Sequence, residues 1–345
     1  MSSISTSKNL TPIGPVGGKI VESLANLPPI ILGGGIFNYQ YHERPDDLQC
    51  SNILKRCFEL GIRAIDTSAY YGPSEGILGE GLEAIKDVYP RDSYYLCTKA
   101  GRDYEKGFDY SKEWIRESVI RSCQRLKTSY LDVVYLHDIE FVPTSGIIEA
   151  LTELFKLKNS GVIRHVGITG YPVKLLVQVA QLVKDNKAIS NGEPLDIVLS
   201  YSNLCLQNTT LKSYISGFED AGIKCILNAS PLSMSLLRSG TVHDFHPADE
   251  KLKKTAADAA KYTASEGVEL ASLATRFAYR EWEPRPTVFG LSSVEEVEQA
   301  VDEFWASKDS KTSLKDGKLV QHVQHIFGET LNSVWESGIP HEDLN

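Results

Sequence analysis

Residues 133–137 read Val133-Val134-Tyr135-Leu136-His137, a short apolar run that ends on a titratable side chain. Runs of this length, rich in β-branched and aromatic residues, are typical of strands buried on both faces of a parallel sheet. Two further runs of the same kind end at Asp66 and Lys99. Because the carboxyl ends of parallel barrel strands lie on one side of the molecule, these polar ends predict a shared site there.

Similar short runs recur roughly every thirty residues, with helical patterns between them. We predict eight strands, at residues 30–32, 63–66, 94–99, 133–137, 166–169, 197–200, 224–228 and 287–289. Strands that alternate with helices lie parallel, and eight such units predict an α/β fold of the (β/α)8 TIM barrel type. Additional helices are expected at residues 247–266, 268–280 and 293–305. A polar stretch at 307–317 then precedes an amphipathic, helical C-terminal tail at 319–335.

The even spacing, without a linker rich in proline and serine, predicts a single barrel domain over residues 23–345. Residues 1–22 are expected to form a flexible lead-in, because Ser, Gly and Pro dominate its first part. The six cysteines form no Cys-x-x-Cys pair and lie mostly in apolar runs, so we expect buried free thiols.

The composition, with 42% hydrophobic and 23% charged residues, is that of an ordinary soluble globular protein. A net charge of −9 without a basic block argues against nucleic acid or anionic membranes as partners. No apolar stretch approaches the ~18 residues of a membrane helix, and no signal peptide is recognisable. A cytoplasmic location is therefore expected.

The polar residues at the strand ends suit proton transfer. An ammonium at Lys99 is expected to stabilise the Tyr71 phenolate and lower its pKa from the usual value of about 10, with Asp66 holding the lysine charged. A neutral His137 would orient a substrate oxygen. Because no strong nucleophile accompanies them, hydride transfer at an alcohol or carbonyl is the predicted chemistry, which requires a nicotinamide.

Each of these residues also has an ordinary interpretation. Lys99 or His137 alone could be a solvated loop residue, Asp66 could cap the following helix, and Tyr71 could belong to a turn. Their placement at three consecutive strands favours the site.

Several segments resemble the aldo-keto reductase family. They are Ile65-Asp66-Thr67-Ser68-Ala69-Tyr70-Tyr71-Gly72, Cys97-Thr98-Lys99 and Leu131-Asp132-Val133-Val134-Tyr135-Leu136-His137-Asp138. The resemblance covers about residues 28–305 and implies a catalytic set of Asp66, Tyr71, Lys99 and His137. Spacing alone does not choose between Tyr70 and Tyr71. The resemblance implies Tyr71, which immediately precedes the glycine, as the acid/base.

The resemblance also implies cofactor contacts, carried by Leu32-Gly33-Gly34-Gly35, Val166-Gly167-Ile168-Thr169-Gly170 and Ser230-Pro231-Leu232. The implied cofactor-binding residues are Gly35, Ile36, Thr169, Ser230, Leu232 and Glu296. The chain departs from many members at Gly170, Val198 and Ala229, where an asparagine, a glutamine and an aromatic residue are expected. Nicotinamide contacts must therefore come partly from elsewhere.

These departures, with residues 227–234 and 246–248, resemble a sugar-dehydrogenase branch of the family. That resemblance implies oxidation of the anomeric hydroxyl of an aldose, such as D-arabinose or L-galactose, to the aldonolactone. Phe37 and Tyr104 are expected to line the sugar pocket, although either could equally be a core or rim aromatic. The sequence fixes neither the sugar's stereochemistry nor the oligomeric state.

The cofactor is expected to be NAD. Glu296 stands where NADP-using relatives place an arginine, and residues 290–305 contain no Lys or Arg. A carboxylate there would repel a 2′-phosphate and could accept hydrogen bonds from ribose hydroxyls. Alternatively, Glu295 and Glu296 only complement the helix dipole behind a serine cap.

Three other functions remain open. A metal-dependent barrel hydrolase could use Asp66, His137 and Asp138 as ligands, but it lacks a histidine pair at the first strand. The pair His243-x-x-His246 lacks a clear third ligand, so no metal is expected. A nicotinamide-bound regulatory or redox-sensing subunit, or a general aldehyde or ketone reductase, would carry the same four catalytic residues.

Overall fold

The structure is a computed structural model that describes residues 9–344. The first eight residues of the predicted lead-in lie outside the described residues. In chain order the strands are β1 (Ile30–Gly33), β2 (Ala64–Asp66), β3 (Tyr95–Ala100), β4 (Arg102–Asp103), β5 (Gly107–Phe108), β6 (Leu131–His137), β7 (Ile163–Gly170), β8 (Ile197–Tyr201), β9 (Cys225–Ala229) and β10 (Thr287–Gly290). The α-helices are α1 (Cys50–Glu59), α2 (Ser74–Ile85), α3 (Lys112–Arg125), α4 (Thr144–Asn159), α5 (Val173–Asp185), α6 (Lys187–Ser190), α7 (Ile215–Asp220), α8 (Glu250–Ser265), α9 (Leu270–Trp282), α10 (Val294–Lys308) and α11 (Ser310–Phe327).

Eight of the strands close into a barrel in the order β1-β10-β9-β8-β7-β6-β3-β2, and every neighbouring pair is parallel. The predicted TIM barrel and all eight predicted strands are therefore confirmed. The two remaining strands, β4 and β5, form an antiparallel hairpin directly after β3 that we did not predict.

The alternation of side chains along each strand explains why the runs are apolar throughout. In β6, Val133 and Tyr135 belong to the cluster inside the barrel, whereas Val134 and Leu136 pack in the layer between the strands and the surrounding helices. Because successive side chains point to opposite faces, His137 continues the inward series. The same period places the side chains of Asp66 and Lys99 inside the barrel at its carboxyl end.

The C-terminal helices differ in their bounds from the prediction. Helix α11 begins at Ser310, within the polar stretch predicted to precede it, because Asp309 caps the helix by accepting a hydrogen bond from Thr312 N at 2.8 Å. The helix ends at Phe327, eight residues before the predicted end. It packs Leu319 and Val323 in a second cluster with α8 and α9.

The residues after α11, 328–344, cross the carboxyl-end face of the barrel. Gln207, after β8, donates to the carbonyl of Thr330 at 2.7 Å, and Trp335 stacks on Tyr171, with ring centroids 4.3 Å apart. Ile339 N donates to the carbonyl of Glu140 at 2.8 Å. This segment, which we call the tail, therefore adjoins the strand ends that carry the site.

The residues before β1 contact the opposite face. Ile20 N donates to the carbonyl of Asp92 at 2.8 Å, and Arg63 donates to the carbonyl of Gly18 at 2.7 Å. Both partners precede barrel strands. The flexibility expected of the lead-in stays a prediction.

The six cysteines are free and buried, as expected. Among the helices of residues 9–344, none combines the length and the apolar character needed to span a bilayer.

Candidate active site

A buried ion pair lies at the carboxyl end of the barrel. Lys99 Nζ is 2.5 Å from Asp66 Oδ1 and also donates to the carbonyl of Thr67 at 2.8 Å. The side chains of Lys99 and Asp66 are only 2% and 5% exposed, so each charge depends on the other for compensation. The same ammonium lies 4.9 Å from the centroid of the Tyr71 ring.

The loop after β2 places Tyr71 against this pair. A turn in which Tyr71 N donates to the carbonyl of Ser68 at 3.0 Å brings the tyrosine back over the barrel. Its ring is perpendicular to that of His137, with centroids 5.8 Å apart. The structure therefore brings together all four residues predicted to be catalytic.

His137 has a partner that sequence reasoning missed. Its Nδ1 atom lies 2.9 Å from Ser68 Oγ, and Ser68 Oγ also accepts from Tyr70 N at 3.1 Å. When Ser68 Oγ donates its hydrogen to Nδ1, the proton of the neutral ring lies on Nε2. Ser68 lies in the quoted Asp66–Gly72 segment, but nothing in that segment indicates its partner.

The electrostatics of Tyr71 correct one expectation. Burial raises the pKa of Tyr71 above its usual value, and the charge of Lys99 offsets only part of that rise. The expected fall of this pKa is therefore wrong in this structure, because desolvation outweighs the neighbouring ammonium. For Lys99, burial alone would lower the pKa, but Asp66 and Tyr71 hold it above its usual value.

His137 is neutral at physiological pH. Burial lowers its pKa well below the usual range, and the charges of Lys99 and Arg102 lower it further. A neutral imidazole with a proton on Nε2 can donate a hydrogen bond to a substrate oxygen.

A second ion pair, between Arg102 and Asp138, lies beside His137. Asp138 directly follows His137 in the chain, and its Oδ2 lies 3.6 Å from His137 Nε2. The Arg102 guanidinium lies 3.6 Å from the centroid of the Tyr70 ring. Sequence reasoning missed Arg102, which belongs to the unpredicted hairpin.

Glu140 explains the departure at Gly170. Its carboxylate is fully buried and accepts from Tyr171 N at 3.0 Å and from Ser337 Oγ at 3.1 Å. A Cβ atom at Gly170 would overlap Glu140 Oε2, so a side chain at this position would require the Glu140 carboxylate to move. Glu140 thus fills the space that an asparagine would take. Burial, with the charge of Asp138, raises its pKa to about 7.

The residues expected to contact the cofactor surround the same end of the barrel. Gly35 lies beside the Tyr71 ring, since a Cβ built on it would be 3.6 Å from that ring, and Ile36 lies across from Gly290. Thr169 is 1% exposed and pairs with His137 in the sheet. Ser230 and Leu232 lie in the loop between β9 and α8.

Glu296 lies in the first turn of α10, after β10. Its carboxylate accepts from Ser292 N at 2.6 Å and from Ser292 Oγ at 2.9 Å, while Ser293 Oγ caps the helix by accepting from Glu296 N. The geometry is compatible with both interpretations of this glutamate. Its negative charge lies at the start of α10, where it complements the helix dipole and would also repel a 2′-phosphate.

Unpaired polar atoms on and after β8 and β9 are consistent with a polar ligand such as a nicotinamide cofactor. Within residues 9–344, Asn228 Oδ1, Ser202 Oγ and Ser233 Oγ are buried without a hydrogen-bond partner. Such groups are unfavourable in a folded protein unless a ligand or water satisfies them. Asn228 lies on the outer face of β9, because Leu227 and Ala229 face the barrel interior. Ser202 and Ser233, with Gly35, Ile36 and Thr169, would hold the cofactor.

The two aromatic residues expected in the sugar pocket have different positions. Phe37 is fully buried in the main hydrophobic cluster, so it presents no surface to a substrate and that expectation needs correction. Tyr104 is 51% exposed and lies beside Tyr39 at the rim, 6.4 Å between ring centroids.

The two histidines considered as metal ligands have other partners. His246 Nε2 lies 2.8 Å from the carbonyl of Ser233, and the His243 ring stacks on Phe245. In the part of the chain that the structure describes, no group of three or more His, Cys, Asp or Glu side chains is arranged to hold a metal ion.

Comparisons with known proteins identify relatives of similar length. The model of the aldo/keto reductase family matches residues 29–313. D-arabinose 1-dehydrogenase of Saccharomyces cerevisiae is 47% identical over 326 residues, 93% of this chain and 97% of that protein. L-galactose dehydrogenase of Arabidopsis thaliana is 34% identical over 289 residues, 83% of this chain and 86% of that protein.

Solved structures share the fold. An aldo-keto reductase of Bacillus halodurans aligns with a TM-score of 0.64 at 21% identity, covering 92% of this chain and 97% of that one. A glycerol dehydrogenase of Gluconobacter oxydans aligns with a TM-score of 0.63, also at 21% identity, covering 91% and 95%. At this identity the similarity shows the fold alone.

Proposed function

We propose that this chain, which belongs to the aldo/keto reductase family, is an NAD-dependent aldose 1-dehydrogenase. It oxidises the anomeric hydroxyl of an aldose, D-arabinose or a related sugar such as L-galactose, to the aldonolactone. The observation that carries the proposal is the position of Tyr71 between the Lys99 ammonium and the neutral His137 ring. The relatives named as dehydrogenases of two such sugars support the substrate class.

A nicotinamide, when bound, accepts the hydride that leaves the anomeric carbon. His137 Nε2 donates a hydrogen bond to the anomeric oxygen and orients it. Tyr71, as the phenolate, takes the hydroxyl proton while the carbon–oxygen double bond forms. Lys99 stabilises the phenolate, and Asp66 keeps the lysine charged and in place.

The raised pKa of Tyr71 sets the pH at which this direction is favourable. Tyr71 holds its proton at neutral pH, so the phenolate needed for oxidation becomes more abundant as the pH rises. In the opposite direction the protonated phenol is the competent form, which supports a second candidate function, reduction of an aldehyde or ketone at neutral pH.

The choice of NAD rests on charge. Glu296 places a carboxylate in the first turn of α10, and residues 290–305 offer no Lys or Arg to a 2′-phosphate. A phosphate beside this carboxylate would be repelled, whereas a ribose hydroxyl could donate to it.

The test is a multiple-turnover assay of the purified full chain with a panel of pentoses and hexoses, NAD and NADP, following reduced cofactor and lactone. We expect lactone formation from at least one aldose, with a higher kcat/KM for NAD than for NADP. Turnover with carbonyl substrates alone would favour the second candidate. An absence of turnover with any substrate would support a regulatory subunit, and higher efficiency with NADP would overturn the cofactor assignment.

A further inference from the structure

Arg102 occupies a position at the barrel mouth that the catalytic mechanism does not use. It begins the β4–β5 hairpin, three residues after Lys99. Its guanidinium lies over the Tyr70 ring at 3.6 Å and near the Phe108 ring at 4.9 Å. Tyr70 in turn lies 5.8 Å from the His137 ring, so Arg102 adjoins the place where the reacting oxygen would lie.

Most of the hydrogen-bonding capacity of Arg102 is unused. A guanidinium has five N–H donors, and within residues 9–344 only Nη1 has an acceptor, Asp138 Oδ2. The side chain is 24% exposed, so the remaining donors are accessible. Arg276 gives a contrasting example. Arg276 donates to both oxygens of Asp316 and to Glu303.

Asp138 holds the Arg102 guanidinium in place through their ion pair. Its backbone has a φ of 54°, in the left-handed region, and its side chain is 6% exposed. The carboxylate accepts from Arg102 and also lies near His137 Nε2. A charged donor and a charged acceptor side by side, flanked by aromatic rings, form a pattern that complements neighbouring hydroxyl groups of a polyol.

We propose that Arg102, held in place by Asp138, is a substrate-specificity residue that donates hydrogen bonds to sugar hydroxyls other than the reacting one. This inference rests on the proposed function, and it names the residue that selects polyhydroxylated substrates at the same site. The rival explanation is that the Arg102–Asp138 pair only positions His137.

The two explanations differ in a mutant cycle. Arg102→Met removes the donors and keeps the length, and it is compared with the wild type on the best aldose of the panel and on deoxy analogues that each lack one hydroxyl. We expect Arg102→Met to lower kcat/KM for the parent aldose about 10- to 100-fold, mostly through KM, since hydrogen bonds to charged groups have this magnitude. For at least one deoxy sugar, the one that lacks the hydroxyl bound by Arg102, the variant and the wild type should have similar kcat/KM values.

Two further variants keep the test interpretable. Arg102→Met leaves the buried Asp138 charge without its partner, so the double variant Arg102→Met/Asp138→Asn is measured in parallel and should show the same loss of discrimination. Arg121→Met is the matched control, because Arg121 pairs with Asp103 of the same hairpin at 2.5 Å and lies over Trp114. Like Arg102→Met, it leaves a buried aspartate without its partner. It should keep kcat/KM within about twofold, because Arg121 contacts Asp103 and Trp114 and neither Tyr70 nor His137.

An equal loss of kcat with every analogue would overturn the proposal in favour of a positioning role. If the wild type reduces carbonyls and oxidises no aldose, the proposed function is wrong but the inference on Arg102 can still be tested. The cycle then compares the reduction of glyceraldehyde, which has hydroxyl groups, with that of propanal, which has none. Arg102→Met should then abolish the preference for the hydroxylated aldehyde, and an unchanged preference would overturn the inference. A wild type without any turnover would overturn both.

Discussion

Ser68 Oγ and His137 Nδ1 lie 2.9 Å apart, joining the loop after β2 to the end of β6 across 69 residues of sequence. This contact limits the rotation of the imidazole ring, and with the serine as donor it leaves the ring proton on Nε2. The orientation of the residue that would position the substrate oxygen therefore depends on a serine hydroxyl.

Replacing that serine should weaken catalysis without unfolding the protein. Ser68→Ala removes the hydrogen bonds to His137 Nδ1 and from Tyr70 N, each worth about 1 kcal/mol. We expect kcat to fall about 5- to 10-fold because the imidazole ring can rotate. Steady-state kinetics at saturating cofactor measure this. Ser160→Ala, at the exposed end of α4, is the control, and an equal kcat for both variants would contradict the role given to Ser68.

Tyr71 and Tyr70 are adjacent, yet their substitutions should differ sharply. Tyr71→Phe removes the proposed acid/base, and we expect kcat to fall by about 10²- to 10⁴-fold, the usual contribution of such a group. Binding of NADH, followed by fluorescence, should be unchanged. Tyr70→Phe should have a milder effect, and the reverse order would refute the assignment of Tyr71.

The oxidation rate should depend on pH through Tyr71. Because its pKa is raised, the phenolate is scarce at neutral pH, and kcat/KM for aldose oxidation should increase as the pH rises into the alkaline range. Lys99→Met removes the group that partly offsets the effect of burial, so its profile should shift to still higher pH. A profile that is flat between pH 6 and pH 10 would contradict this role of the phenol.

Lys99→Met also leaves Asp66 buried and unpaired, which should lower the free energy of unfolding by about 3–5 kcal/mol. The double variant Lys99→Met/Asp66→Asn removes both charges and should recover much of that stability. Denaturant unfolding of both variants separates this structural effect from the kinetic one.

Glu140 should make the stability depend on pH. Its pKa of about 7 in the folded protein exceeds the value of about 4.3 for an exposed glutamate, so the folded state binds the proton more tightly. Its contribution is fully present below about pH 4 and is lost as the pH rises through 7. Between pH 4.5 and pH 7.5 the wild type should lose up to about 3 kcal/mol relative to Glu140→Gln.

Unfolding in denaturant at several pH values checks this. Glutamine keeps an acceptor for Tyr171 N but does not titrate. Glu117→Gln, on the exposed face of α3, should follow the wild type at every pH. Parallel curves for the wild type and Glu140→Gln would show that the buried carboxyl does not ionise in this range.

Reversing the charge at the start of α10 should change the cofactor preference. Glu296→Arg is expected to raise kcat/KM for NADP relative to NAD by about tenfold or more, because a guanidinium would meet the 2′-phosphate. Glu295→Arg makes the same change of charge one residue earlier. If both variants shift the preference equally, the effect is one of general charge and Glu296 has no specific position at the cofactor.

The period of the strands made much of the site predictable. Asp66, Lys99 and His137 each close an apolar run, and alternation directs all three side chains into the barrel. The role of Tyr71 was harder to predict from the sequence, because only the family resemblance distinguished it from Tyr70. The bounds of α11 were predicted poorly, since its first turns carry few apolar residues and its start is set by the Asp309 cap.

Other features could not be predicted, because their partners are distant in the sequence. Glu140 contacts Tyr171, 31 residues away, and Ser337, 197 residues away, and only the fold brings these together. The hairpin that carries Arg102 is too short to show a strand pattern. The pKa of Tyr71 depends on the depth of burial, which a sequence does not give.

The close approach of the tail to Glu140 has a practical consequence. At Gly338 the backbone lies so near the carbonyl of Glu140 that even a methyl group would overlap it. Three residues later, His341 still contacts that carbonyl and the Thr144 hydroxyl. Purification tags or fluorescent proteins fused to the C-terminus, or C-terminal truncations, would therefore disturb the carboxyl-end face of the barrel. Gly18 and Ile20 contact the opposite face of the barrel, so the N-terminal side of the chain is the safer choice for an attachment.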